Sequence, residues 1–155
     1  MGNHADLTGA ELHESKGVAA ASVSTVYVAD GAGSGAWTSR TIGQKMVLTL
    51  HIPDIGAADS TYLLCPLAGT IDKIYVVNDQ ATATNPTVLT CAIGGVAITN
   101  GVVTIAAAVA EGVGSSATPT AARTVSIGSS LSVASDGGTT GTVIGTVTFL
   151  ISLTA

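Results

Sequence analysis

Apolar and polar residues alternate with a period of two over much of the chain. Between Met46 and Ile52, the residues Met46, Leu48, Leu50 and Ile52 share one face, while Val47, Thr49 and His51 take the other. From Thr142 to Leu153, the apolar side carries Val143, Val147, Phe149, Ile151 and Leu153 against Thr142, Thr146, Thr148 and Ser152. Such alternation is the signature of half-buried strands. Gly145 falls on the apolar side, where a missing side chain marks a bulge or a close backbone approach. Further strands are predicted over Thr70–Val77, Thr87–Ile93, Gly95–Thr99, Val102–Ala108, Arg123–Ile127 and Ser130–Ser135, with another possible over Thr25–Ala29. Asn100-Gly101 is the strongest hairpin signal, because both residues tolerate the positive φ of a type I′ turn. Gly94-Gly95 and Asp136-Gly137-Gly138 are similar punctuation, and Pro53, Pro66, Pro86 and Pro119 all fall at strand boundaries. The Ala-rich Ile105–Glu111 is too short for a stable helix and reads as strand. A short helical turn over Thr8–Glu14 fits a capping box. Roughly eight strands and no long helix point to an all-β fold, an antiparallel β-sandwich of jelly-roll type.

Composition narrows the function classes. The chain has 155 residues, a net charge of −5, and only 10% charged residues, against roughly 25% in ordinary soluble domains. Clustered Lys and Arg, which phosphate neutralisation needs, are missing, so no nucleic-acid partner is expected. Hydrophobic residues make up 46%, enough to bury a core. Charge is uneven. Seven of the fifteen charged residues lie within Asp6 to Lys45, and only Glu111, Arg123 and Asp136 lie beyond Gln80. With the glycine-rich stretch Asp30–Gly35, this divides the chain into an extended N-terminal arm, residues 1–44, and a β-domain, residues 45–155.

No basic stretch followed by an apolar run opens the chain, so no signal peptide is expected. The long uncharged stretch from Gln80 to Ala110 is broken by Asn85-Pro86, Gly94-Gly95 and Asn100-Gly101, so no membrane helix and no membrane partner are expected. Cys65 and Cys91 read as buried thiols; a disulfide between neighbouring strands is the alternative.

Candidate chemistry is sparse. His13 with Glu11 and Glu14 lacks a second histidine at ligand spacing, so no metal is expected. His51 falls on the less apolar face of its strand, pointing at solvent or a neighbouring subunit. The stretch Gly31–Ala36 matches G-x-G-x-x-A, but no helix follows to receive a pyrophosphate, and no cofactor is expected. Asp54 and Asp59 read as solvated loop carboxylates rather than an acid–base pair. No G-x-S-x-G elbow occurs. The chain is not expected to be an enzyme. The lone Trp37 suits either a core anchor or a binding hot spot.

The residues Leu7-Thr8-Gly9-Ala10-Glu11-Leu12-His13-Glu14-Ser15-Lys16-Gly17, followed by VYVADGAGSGAW from Val26 to Trp37, resemble the N-terminal segment of tailed-bacteriophage head decoration and head-fibre proteins. The pattern is an L-H-E-x-K-G element, a small-residue spacer, then V-Y-V-A-D-G-x-G-S-G-x-W. It covers about the first quarter of the chain; the remainder is similar only in its Thr-, Val- and Gly-rich style. The resemblance implies a virion protein, assembled in the host cytoplasm, that binds the outer surface of an icosahedral capsid as a homotrimer and reinforces the shell. Its partners would be the major capsid protein and its own copies. The expected capsid-contacting residues are Leu12, His13, Glu14, Lys16, Tyr27, Asp30 and Trp37, with Glu14 and Lys16 in polar pairs and Leu12, Tyr27 and Trp37 as apolar anchors. An alternative is a fibre or tail-associated β-domain that binds a host glycan or receptor. Against it, residues 46–155 offer only Tyr62, Tyr75 and Phe149 for sugar stacking. A small hydrolase and a secreted adhesive domain are weaker alternatives still.

Overall fold

The computed structural model describes residues 25–29, 35–39, 43–83 and 85–154. The chain divides into two units, Met1–Ile42 and Gly43–Ala155.

In the first unit, β1 (Thr25–Ala29) pairs antiparallel with β2 (Gly35–Ser39). Thr25 lies opposite Ser39, and Tyr27 lies opposite Trp37. Gly35, expected at the end of the glycine-rich stretch Asp30–Gly35, belongs to β2. The expected turn at Thr8–Glu14 lies outside the described residues.

The second unit contains β3 (Lys45–Ile52), β4 (Ser60–Leu64), β5 (Gly69–Asn78), β6 (Thr87–Ile93) and β7 (Val96–Ile105). These are followed by β8 (Gly114–Ala117), β9 (Thr124–Val125), β10 (Ser130–Ser135) and β11 (Gly145–Leu153). They form two antiparallel sheets, ordered β3-β11-β5-β8 with β9 also on β5, and β4-β10-β6-β7. No helix occurs among the described residues. The fold is all-β and sandwich-like.

Alternation explains the layering. Along β11, Val147, Phe149 and Ile151 are fully buried, while Thr146, Thr148 and Leu150 between them are half-buried. From the facing sheet, Leu89, Cys91, Leu131 and Val133 complete one core with them. Gly145 supplies the close approach its position suggested: a Cβ there would lie 2.7 Å from Ile55 Cγ2.

Three expectations change. Asn100-Gly101 is not a hairpin but part of a bulge inside a single strand, β7. Thr90 pairs with Val102 and Ala92 with Ala97, so Cys91 faces a four-residue excursion, Ile98 to Gly101. Asn100 does take positive φ, 57°, and Gly101 packs where a Cβ would meet Ile98 Cβ at 2.6 Å. The excursion reaches across to Ala121, whose carbonyl accepts the Thr99 N–H at 3.1 Å. The two-residue hairpin lies instead at Gly94-Gly95, both at positive φ, between paired Ile93 and Val96. Second, β7 stops at Ile105, short of Ala108. Thr82 draws the chain into a turn there: its Oγ1 donates to the Ala106 carbonyl at 3.0 Å and accepts the Val109 N–H at 2.9 Å. Third, β4 and β8 were not foreseen.

The cysteines are free and buried. Cys65 follows β4 and Cys91 lies on β6, with β10 between them. Two strand spacings, about 9–10 Å, exceed the reach of a disulfide. Burial pushes the Cys91 thiol pKa up to about 12.

Candidate functional site

The described carboxylates of the second unit, Asp72 excepted, gather at one end. Ile52 of β3, Gly145 of β11 and Asn78 of β5 are aligned at one end of their sheet. The connections beyond them carry Asp54, Asp59 and Asp79; Glu111 lies beside Gly112, whose N–H donates to the Asn78 carbonyl at 2.8 Å. Asp136 follows β10 at this end too, its N–H donating to the Val88 carbonyl at 3.1 Å. The opposite end receives the chain at Gly43. There the Leu153 N–H donates to the Gln44 carbonyl at 2.9 Å. Lys45 and Arg123 flank Asp72 on that side, and Lys73 lies beside them.

A bulge creates this cationic group. Leu150 pairs with Lys73 and Ile151 with Ile71, leaving Asp72 as the extra residue of β5. The sequence already breaks phase here, since Ile71 and Ile74 both face the core with two residues between them. Asp72 accepts from Lys45, and from Ser152 Oγ at 2.6 Å; the Arg123 guanidinium lies 3.8 Å away. Lys45 Nζ also donates to Ser152 Oγ at 2.6 Å. The Lys45 hydrogen bond, then that from Ser152, holds the Asp72 carboxyl below its ordinary pKa. A carboxylate so depressed adds stability above its unfolded pKa, and that contribution is lost as pH falls through the folded value. The pair is solvent-accessible, so the contribution is small, about 1 kcal/mol or less. Asp72→Asn is therefore expected to flatten the acid limb of a stability-versus-pH curve measured by urea melts, with little change at high salt. An unchanged acid limb would remove this role.

Asp54 and Asp136 at the other end are structural latches. Asp54 Oδ1 accepts the Gly56 N–H at 2.8 Å and the Val143 N–H at 3.1 Å, tying the β3–β4 connection to the segment before β11. Asp136 Oδ1 accepts from Val88 at 2.9 Å and Gly138 at 3.0 Å. Asp59 accepts the N–H of the next residue, Ser60. Asp54 is thus not the freely solvated group expected. Hydrogen bonds to a charged acceptor are worth about 1.5–3 kcal/mol each; Asp54 is only half-buried, so water replaces part of what is lost, and Asp54→Ala is expected to cost roughly 2–4 kcal/mol in a denaturant melt. Asp54→Asn, which keeps the acceptor, should cost about half that or less; equal losses would contradict the latch.

Buried threonines were not legible as functional positions. Thr139 donates its N–H to Thr87 Oγ1 at 3.0 Å and accepts the Ala83 N–H at 2.9 Å. Ser135 Oγ donates to the Ile55 carbonyl at 2.5 Å. No spacing rule marks such residues, because the polar side chain replaces backbone pairing that only tertiary structure reveals.

Of the expected contact residues, Tyr27 and Trp37 are register partners on β1 and β2. Leu12, His13, Glu14, Lys16 and Asp30 lie outside the described residues. His51 is exposed on the outer face of β3, opposite Thr146. Phe149 is fully buried and leaves the sugar-stacking set; Tyr62 and Tyr75 are exposed on different sheets. Lys73 Nζ sits 5.1 Å from the Tyr75 ring centre, a cation–π contact. Among the described residues, no group of three or more His, Cys, Asp or Glu side chains is placed to hold a metal ion. No protein-family model matches the chain, and no curated protein matches it.

Proposed function

We propose that the chain is a structural virion protein, a non-enzymatic cement that binds the outside of an icosahedral phage capsid as a homotrimer and reinforces it. The observation that carries this reading is the paired motif at Leu7–Gly17 and Val26–Trp37. Two findings support it. Tyr27 and Trp37, both within the second motif, fall opposite each other on one antiparallel pair. Two cations, Lys45 and Arg123, flank Asp72 at the end of the β-unit where the chain enters at Gly43.

The β-unit is read as a jelly roll. The order β3-β11-β5-β8 facing β4-β10-β6-β7 supports this, since two interlocked Greek keys over eight strands produce such alternation between sheets.

In this reading the N-terminal segment grips the shell and the β-unit forms the exposed knob. Ordering a segment on binding costs entropy, which limits the affinity of one copy. Joining three copies raises the effective concentration of the remaining segments once one is bound. A protein that binds the assembled lattice and not free subunits stabilises the lattice by mass action. The test is to mix the full chain with expanded phage heads and, separately, with unassembled capsid protein. Co-sedimentation with heads alone is expected; equal binding to free subunits, or none to heads, would refute the assignment.

A further inference from the structure

The two halves of β3 are held in different ways. β3 is an edge strand, paired with β11 and with no other strand among those described. Toward its C-terminal end the inward side chains Leu50 and Ile52 are buried in the core. The connection that follows is fastened too, by the Asp54 latch and by the fully buried Ile55, whose N–H donates to the Val143 carbonyl at 2.7 Å. At the entry end Met46 and Leu48, in the same inward phase, are only half-buried. The apolar grip on a strand scales with the area it removes from water, so this half is held less by the core.

Polar contacts hold it instead. Lys45 is the register partner of Ser152 on β11. Its Nζ donates to Ser152 Oγ at 2.6 Å and to the Asp72 carboxylate, and Ser152 Oγ donates to that carboxylate at 2.6 Å. One residue earlier, the Gln44 carbonyl accepts the Leu153 N–H at 2.9 Å. Arg123 braces the bulge that carries Asp72, since its guanidinium donates to the Ile71 carbonyl at 3.1 Å. Lys45 is thus tied to both β11 and β5.

We infer that the chain from Gly43 to Leu48 is a strap that peels from β11 while the rest of the β-unit stays folded, and that Lys45, Ser152 and Asp72 form the salt-sensitive clasp that holds it shut. The inference stands apart from the proposed capsid role and needs no second copy. Peeling starts at the entry end because each residue released there gives up ladder bonds but little core. It stops at Thr49, because the next step would draw Leu50 out of the core. The six released residues supply up to about 20 Å of extended chain ahead of Thr49. β11 keeps its place, because β5 pairs along its other flank.

Exposure makes the clasp responsive. The side chains of Lys45 and Asp72 are 48% and 29% exposed, so dissolved ions reach both. The other charged groups beside it are Arg123, 3.8 Å from Asp72, and Lys73, whose ammonium lies over the Tyr75 ring. β11 carries no charged residue, and the one other titratable group of β3, His51, lies at its far end. Asp72 is the one carboxylate of the group among the described residues. Its carboxyl is held below the ordinary pKa by Lys45 and then Ser152, so acid opens the clasp as pH falls through that lowered value.

The test is hydrogen exchange of the full chain, read by mass spectrometry on the β11-bonded amides of Met46–Leu48 and of Leu50–Ile52. The first set is expected to exchange faster than the second in the wild type. Asp72→Asn, which leaves the sequence of the strap untouched, is expected to speed the first set further, by up to about five-fold, the ceiling for an exposed ion pair. Leu50–Ile52, and Ser60–Leu64 on the edge strand β4, should keep their rates. Should that variant fail to fold, the wild type in about 1 M salt, where the screening length is about 3 Å, is expected to show the same selective rise. Equal protection of the two halves in the wild type overturns the strap. Unchanged Met46–Leu48 exchange in folded Asp72→Asn overturns the clasp. A rise shared equally by Leu50–Ile52 signals loss of global stability and overturns the inference as well.

Discussion

Deleting Gly2 to Arg40 is expected to leave a folded β-unit that no longer attaches to phage heads. Folding should survive because the core drawn from β3 to β11 lies wholly within Gly43–Ala155, and the truncation removes none of its hydrogen bonds to Gln44 or Lys45. Attachment should fail because both motif elements, with Leu12, His13, Glu14, Lys16, Tyr27, Asp30 and Trp37, go with the deleted segment. The change should reach the detection limit of a co-sedimentation assay rather than a few-fold weakening. A cooperative melt of the truncated chain certifies the fold. Retained binding by that folded protein would mean that the β-unit itself holds the shell.

Phe149→Ala is expected to be the most damaging single substitution in the β-unit. Phe149 is the largest fully buried side chain and sits mid-way along β11, between Leu48 on β3 and Ile74 on β5. Truncating a buried phenylalanine costs about 3–5 kcal/mol through lost transfer energy and the cavity left behind. Domains of this size are stable by only about 5–15 kcal/mol, so the midpoint of a thermal melt should fall by well over 10 °C. Phe149→Leu, which leaves a smaller void, should lose less than half as much. Similar losses from both would show that the ring is not packed as described.

How much of this was legible follows from which side chains carry a period. β3, β6, β10 and β11 alternate cleanly because one face of each meets the core, β5 does so on either side of its bulge, and the alternation located them. β4 and β8 are short edge strands whose residues are all exposed or half-buried, so Ser60–Leu64 and Gly114–Ala117 carry no contrast to read. Asn100-Gly101 shows a different limit. Its demand for positive φ was legible and correct for Asn100, but whether that demand serves a hairpin or a bulge depends on Gly94-Gly95, which had already turned the chain. The break in alternation between Ile71 and Ile74 is present in the sequence, but that it makes Asp72 the extra residue of a bulge depends on the partner strand β11. The latches at Asp54 and Asp136 were hidden for the same reason, since their partners Val143 and Val88 lie 89 and 48 residues away in sequence. Of the candidate contact residues, the sequence placed Tyr27 and Trp37 in one motif, and the β1–β2 register adds that they lie opposite each other.

The most direct measurement is an electron-microscopy reconstruction of phage heads with and without the protein. The account predicts difference density at three-fold or quasi-three-fold positions, with residues 1–44 laid along the shell and the β-unit standing outside it. Heads whose density is unchanged by the protein, or a bound β-unit with those leading residues turned away from every capsid subunit, would contradict it.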